Sequence, residues 1–326
     1  MIASRLLRTF FFCFGIFFFG MSSAASYNQN GLYGLKYGPN LAWSLAGNTP
    51  FVWGQWLPQA TGNLSFDWIE PLNGLPYGND LDSRASFLRF NTELVLSPFY
   101  GGFRMGLGIR PFQANPQIET RFVYENYTYF NSNVEMTLSS NKENGNIADS
   151  WTADWITNRL YSNSSVDYMQ NFAFWLDLDY SFGNGGLLGG GFHYTLVDVN
   201  TSYEGKSYDY TRNIPVFSRD FILDFILYGC FPVHPNWALS FYLLSYNTGY
   251  SRSSAGTYLK EPLSYALMLL GPSFTWDKKL SRATLMVGFW EREKKRYYKG
   301  RLSQQFLIHL QYQRNFDFPV APVPQR

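Results

Sequence analysis

The stretch NFAFWLDLDYSFGNGGLLGGGFHYTLVD, Asn171–Asp198, carries the pattern that decides the fold. In a β-strand successive side chains point to opposite faces. Phe172, Phe174, Leu176, Leu178, Tyr180 and Phe182 therefore share one face, while Asn171, Ala173, Trp175, Asp177, Asp179 and Ser181 share the other. One face is wholly apolar and the other largely polar, as a wall between two solvents requires. The glycines that follow, Gly183-Asn-Gly-Gly, do not run on into the Lys-Ser/Thr of a P-loop, and no amphipathic helix comes after them. Asn-Gly between two alternating segments is a hairpin turn. Gly189, Gly190 and Gly191 then open the next strand, where they bend it or make room for an inward side chain.

The same alternation recurs along the chain. Leu64, Phe66 and Trp68 oppose Ser65 and Asp67. Leu88, Phe90, Thr92, Leu94 and Leu96 oppose Arg89, Asn91 and Glu93, and Phe103, Met105, Leu107 and Ile109 oppose Arg104, Gly106, Gly108 and Arg110. Phe192, Tyr194 and Leu196 oppose His193 and Thr195, and Phe221, Leu223, Phe225 and Leu227 oppose Asp220, Asp224 and Tyr228. A less clean strand follows at Trp237, Leu239, Phe241 and Leu243, because Tyr242 and Leu244 sit opposite. Further apolar faces are expected at Leu263, Tyr265, Leu267 and Leu269, at Ala283, Leu285, Val287 and Phe289, and at Phe306, Ile308, Leu310 and Tyr312. Together with the opening stretch these make about ten strands.

Short turns are expected at SPFYGG from Ser97, GNGG from Gly183, PVHPN from Pro232 and DKKLS from Asp277. Longer polar links run from Gln113 to Val166, Asn200 to Ser218, Ser251 to Pro262 and Arg292 to Arg301. Alternation of short and long connections is the layout of a membrane barrel, with tight turns on one side and long loops on the other, and it makes the strand number even. Residues 26–60 stand either as a periplasmic segment or as the first hairpin. Within the longest link, TRFVYENYTYFNSNVEMTLSS reads as a hairpin projecting above the membrane, with NSN as its turn. SWTADWITNRLY places Trp151, Trp155, Ile156 and Leu160 on one face of a short lid helix.

The N-terminus, MIASRLLRTFFFCFGIFFFGMSSAAS, puts Arg5 and Arg8 ahead of an apolar run and small residues after it. This is the layout of a signal peptide, expected to span residues 1–25. The apolar run is about half of the roughly 20 residues a spanning helix needs. Cys13 falls inside it, so Cys230 is the single cysteine expected in the mature chain, and a disulfide framework is excluded. A net charge of +2 gives no electrostatic case for nucleic acid. The composition, 20% aromatic against 15% charged at a mean hydropathy of −0.21, excludes a bundle of membrane helices.

A secreted β-sandwich would also alternate. Three features favour a membrane barrel. The apolar faces hold Phe, Leu, Tyr and Trp without lysine or glutamate, as lipid contact demands when a midplane charge costs roughly 2–4 kcal/mol. Tyr180, Tyr194, Trp237, Trp276, Trp290 and Tyr312 gather towards strand ends, where amphipathic rings prefer the interface. A sheet in lipid must also close so that every backbone group is paired.

The last strand, LSQQFLIHLQYQRNF, resembles the terminal strand of bacterial outer-membrane β-barrel proteins, which alternates towards an aromatic residue recognised by the assembly machinery. Phe316 or Phe318 is the counterpart of that residue. The tail DFPVAPVPQR continues beyond it, whereas members of the class usually stop there. The resemblance implies outer-membrane lipid and the barrel assembly machinery as partners.

Asp177 and Asp179 share a face about 6.5–7 Å apart, the lower edge of an inverting glycosidase pair. The competing reading is a mixed-charge lumen, because the same interior receives Arg89, Glu93, Arg104, Arg110, His193, Asp220, Asp224, Arg282 and His309, as well as Asp67. Opposite charges pair and fill a narrow barrel. Outer-membrane phospholipases carry a histidine followed closely by serine and asparagine, which HYTLVD does not match. Omptin proteases resemble this layout in their ten-strand plan, but they use an Asp-His pair in the outer loops. Asp149 and Asp154 fall in such a loop here without a histidine. The histidines and the cysteine share no metal-ligand spacing, and no cofactor is expected. EREKKRYYKGR, Glu291–Arg301, is a basic outer loop suited to lipopolysaccharide phosphates.

The expectation is a transmembrane antiparallel up-and-down β-barrel of 10 to 12 strands over residues 61–318, with 319–326 as a periplasmic tail. It is a non-enzymatic outer-membrane protein, a narrow porin-like channel for small solutes or a structural surface protein. The alternative is an outer-membrane hydrolase, a protease or lipid-modifying enzyme, acting at the rim.

Overall fold

A computed structural model describes residues 35–316 apart from 53–54, 57–58, 82–83, 98–99, 130–166, 183–184, 201–205, 210, 213, 218, 249–262, 278–279 and 293–303. The expected signal peptide, lid helix, C-terminal tail and most of the basic loop lie outside the described residues.

The strands are β1 (Gly38–Val52), β2 (Gln55–Trp56), β3 (Gln59–Pro71), β4 (Phe87–Leu96), β5 (Tyr100–Arg110), β6 (Gln117–Tyr129), β7 (Asp167–Ser181) and β8 (Leu187–Asn200). They continue as β9 (Lys206–Asp209), β10 (Ile214–Phe217), β11 (Arg219–His234), β12 (Trp237–Thr248), β13 (Leu263–Trp276), β14 (Ser281–Arg292) and β15 (Gln304–Phe316). Each wall strand pairs antiparallel with its neighbour in the chain. β15 returns to pair with β1 from Leu41↔Phe316 to Phe51↔Phe306, which closes the sheet. Setting aside the two-residue β2, which pairs only with the end of β1, the closed wall has twelve strands. The β9–β10 hairpin forms a separate two-stranded sheet between β8 and β11.

Closure removes both sheet edges, so backbone groups are satisfied around the ring and the outer face is free to be apolar. It is: Leu94, Leu107, Phe122, Phe172, Leu178, Phe225, Met268, Val287, Phe289 and Leu310 are exposed outward. Aromatic pairs across strands, such as Phe122–Phe174 at 5.3 Å and Trp237–Phe274 at 4.7 Å, add to this belt. The expected GNGG turn is present: Gly185 takes a φ of +83° and donates to Phe182 O at 3.0 Å. A positive φ costs glycine nothing.

The structure corrects three expectations. First, the wall has twelve strands, within the expected 10 to 12, because β1 and β6 join the ten read from the alternation, and this moves its start. Of the two readings for residues 26–60, the described part contains barrel strand, and the wall begins at Gly38 rather than near residue 61. Second, β6 is part of the wall, not one arm of a projecting hairpin, so the SPFYGG turn lies at the same end as the long connections. The opposite end receives the link 111–116, the 15-residue link 72–86, and the turns at 182–186, 235–236 and 277–280. Third, Leu267 and Leu269 point inward, and Met268 and Leu270 take the outer face. Leu269 pairs with Tyr242 and Leu267 with Leu244, so these strands line part of the interior with apolar side chains.

Near the start of the wall a small core covers the inside. Leu35, Tyr37, Ile69, Ala85 and Phe87 are buried together, with Tyr77 and Leu81 packed against them. Tyr77 donates to Glu70 at 2.5 Å and packs edge-on to Trp68.

Candidate functional site

The inward residues of β3–β8 form two groups of ion pairs, one around Glu119 and one around Glu125. Arg89 donates to Asp67 at 2.6 Å, and Asn91 supplies a second bond to the same oxygen. Arg104 spans Glu93 at 2.6 Å and Glu125 at 2.7 Å, and it also donates to the Tyr127 hydroxyl at 3.1 Å. Arg110 spans Glu119 at 2.7 Å and Asp179 at 2.6 Å while its guanidinium lies over Phe87. Arg121 joins Glu119 at 3.2 Å to Asp177 at 2.7 Å and lies 5.0 Å over Trp175. Arg104, Arg110 and Arg121 thus each hold two carboxylates from different strands, which a planar fork can do and an ammonium does less well.

Local sequence explains why the network fits. Gly189 faces Asp179 on β7 and Tyr228 on β11, and Gly191 faces Asp177. A Cβ at either position would collide with the facing carboxylate. The room left lets Tyr228 donate to Asp179 and His193 Nε2 donate to Asp177 at 3.0 Å. Trp175 stacks on the His193 ring at 4.6 Å.

All eleven expected lumen residues are buried inside the wall. Their grouping differs from expectation. Arg110 reaches Asp179, but Arg104 is held by glutamates and not by the aspartates of β7 and β11. Asp220 accepts from the Phe221 amide at 2.8 Å and from Thr248 at 3.3 Å. Arg282 sits apart from the acids just described, donating to Ser273 at 3.1 Å and Ser240 at 3.3 Å. His309 is fully buried on β15, opposite Met286.

Sequence reasoning missed Glu119, Arg121 and Glu125, although Ile118, Phe122 and Tyr124 alternate with them as clearly as in any other strand. It also missed Asp209 and Arg212. These belong to the β9–β10 hairpin, which folds inward between β8 and β11. Arg212 pairs with Asp209 at 2.9 Å and reaches Glu125 on β6 at 3.4 Å. Asp209 caps the turn by accepting from the Thr211 and Arg212 amides. Burial works against the Arg212 charge, and Glu125, Asp209 and Asp224 overcome it, so its pKa is held well above the ordinary arginine value.

The other half of the interior is largely uncharged. Ile222, Ile226, Tyr242, Leu244, Tyr246, Leu267, Leu269, Met286 and Leu307 are all buried along β11–β15. No group of three or more His, Cys, Asp or Glu with metal-holding geometry occurs among the described residues.

No family model matches the chain, and no curated protein matches it. Solved structures are similar in fold. One is an outer-membrane channel from Pseudomonas putida F1, at 10% identity over 88% of this chain and 98% of that one, with a TM-score of 0.47. Another is the translocator domain of the autotransporter NalP from Neisseria meningitidis, at 11% identity over 89% and 92%, TM-score 0.41. A third is the P. putida toluene transporter TodX, at 12% identity over 90% and 94%, TM-score 0.41. The closed antiparallel wall with its apolar outer belt is that of an up-and-down β-barrel.

Proposed function

We propose that this chain is a non-enzymatic barrel of the bacterial outer membrane that works as a narrow, porin-like channel for small solutes, constricted by the β9–β10 hairpin. The observation that carries this reading is the Arg212–Glu125 pair, which ties the inward hairpin to β6, two strands along the wall from β8. An inward loop held by one exposed-end ion pair would contribute little, but both partners here are buried, so the contact positions the hairpin firmly. Charged walls at a constriction set which ions pass.

The hydrolase reading has less support. Its natural candidate, Asp177 with His193, lies within the wall and not at the rim. His193 donates through Nε2 to Asp177, its ring stacks on Trp175, and all three side chains are buried.

Planar-bilayer recording of the refolded protein tests the channel. Discrete conductance steps are expected, and Arg212→Ala should enlarge them by releasing the hairpin. Silence from both proteins, each shown to be folded by heat-modifiable gel mobility, would refute the channel.

A further inference from the structure

Beside the hairpin lies a group of buried polar atoms that the ion-pair network leaves unused. Asp224 is 3% exposed, and its Oδ1 has no hydrogen-bond partner among the described residues. The hydroxyls of Tyr246 and Thr195 are equally buried and equally unpartnered. These residues are neighbours on the inner face. Asp224 pairs directly with Tyr246 on β12 and with His193 on β8, and Thr195 is the next inward residue beyond His193. Directly opposed residues place their Cβ atoms about 4.5–5.5 Å apart, and diagonal ones about 7–8 Å, so Tyr246 is next to Asp224 and Thr195, opposite Ile222, lies diagonally from it on the same inner face. Arg212 is within electrostatic reach of Asp224 and Tyr246; its two terminal nitrogens are held by Asp209 and Glu125, while its Nε takes no hydrogen bond.

The charge balance points the same way. Among the described residues nine buried carboxylates face six buried arginines, although the whole chain carries a net charge of +2. The surplus of carboxylates over arginines is thus inside the barrel. Asp224 is one of these nine acids, forms no ion pair among the described residues, and takes no hydrogen bond at its Oδ1.

We propose that Asp224, Tyr246 and Thr195 form a binding site for a small monovalent cation, with the carboxylate taking the charge and the two hydroxyls supplying neutral oxygens. One carboxylate with hydroxyl oxygens against a tyrosine-rich wall suits an alkali ion or a protonated primary amine, whose charge is single and whose donors or ligand positions are few. This inference rests on the channel reading for its role in transport, but binding itself does not depend on conduction.

The test is isothermal titration of the refolded, detergent-solubilised protein at constant ionic strength, first with potassium chloride and then with propylammonium chloride. Saturable 1:1 binding of at least one of these is expected. Potassium alone would identify an ion site, and propylammonium alone or with tighter binding would identify an amine site. Asp224→Asn should weaken binding at least tenfold, and Tyr246→Phe several-fold. Asp224→Asn removes a buried charge with little compensation, so the variant should fold, which gel mobility checks. Absence of saturable binding in the parent protein, or unchanged binding in Asp224→Asn, overturns the site. In bilayers, cation preference that falls towards parity in Asp224→Asn supports it further. A protein that binds the cation but never conducts retains the site and sinks only the channel reading.

Discussion

Replacing Arg104 with methionine probes whether the interior is held by paired charges. Arg104 is 1% exposed and holds Glu93 and Glu125 at 2.6 and 2.7 Å. Methionine fills much of the same volume, so the main loss is electrostatic. Glu125 keeps Arg212 and the Asn171 amide, whereas Arg104 is the one described cation within ion-pair distance of Glu93. Leaving one buried charge without its partner costs about 3–5 kcal/mol. Glu93→Gln placed in the Arg104→Met background removes the orphaned charge and should return about 2 kcal/mol. Urea unfolding of vesicle-folded protein, followed by tryptophan fluorescence and extrapolated linearly, measures both quantities. A single variant that costs less than about 1 kcal/mol, or a double variant no more stable than the single, would show that the network does not hold the fold in this way.

The remaining predictions address the glycine cradle and the outer belt. Gly191→Val should push Asp177 away from His193 and destabilise the barrel by about 1–3 kcal/mol in the same unfolding assay; Gly190→Val, which faces outward, should cost less. Phe122→Arg, at a side chain 67% exposed on the outer face, should cost about 2–4 kcal/mol in vesicles if that face meets lipid. A cost near zero would place the barrel in water.

The wall was legible wherever one face was apolar and the other charged, as in β4, β5 and β7, because period 2 with polarity contrast has one solution. It was not legible in β13. LSYALMLL is apolar on both faces, so nothing in the strand itself says whether Leu267 or Met268 meets lipid, and pairing with the inward Tyr242 and Leu244 decides it. β6 failed for another reason. Its alternation was visible, but connection length was used to decide which end of the barrel a turn occupies. The short SPFYGG turn was therefore assigned to the wrong end, and the strand needed to restore parity was read as part of a loop. With β6 went Glu119, Arg121 and Glu125, half the logic of the charged interior. Asp209 and Arg212 carried no usable signal, since nothing local in a polar link says that it turns inward.

The unequal division of the interior also bears on how the barrel is assembled. Arg89, Arg104 and Arg110 find acids only 22, 11 and 9 residues away, so an incomplete sheet of β3–β6 can already neutralise much of its own charge. The final seam is of a different kind. Where β15 meets β1, Ala42 and Ala46 face Asn315 and Gln311. The seam therefore joins inward faces that carry no carboxylate or arginine, and a strand arriving there can slide into register without first breaking a misplaced ion pair inside the barrel.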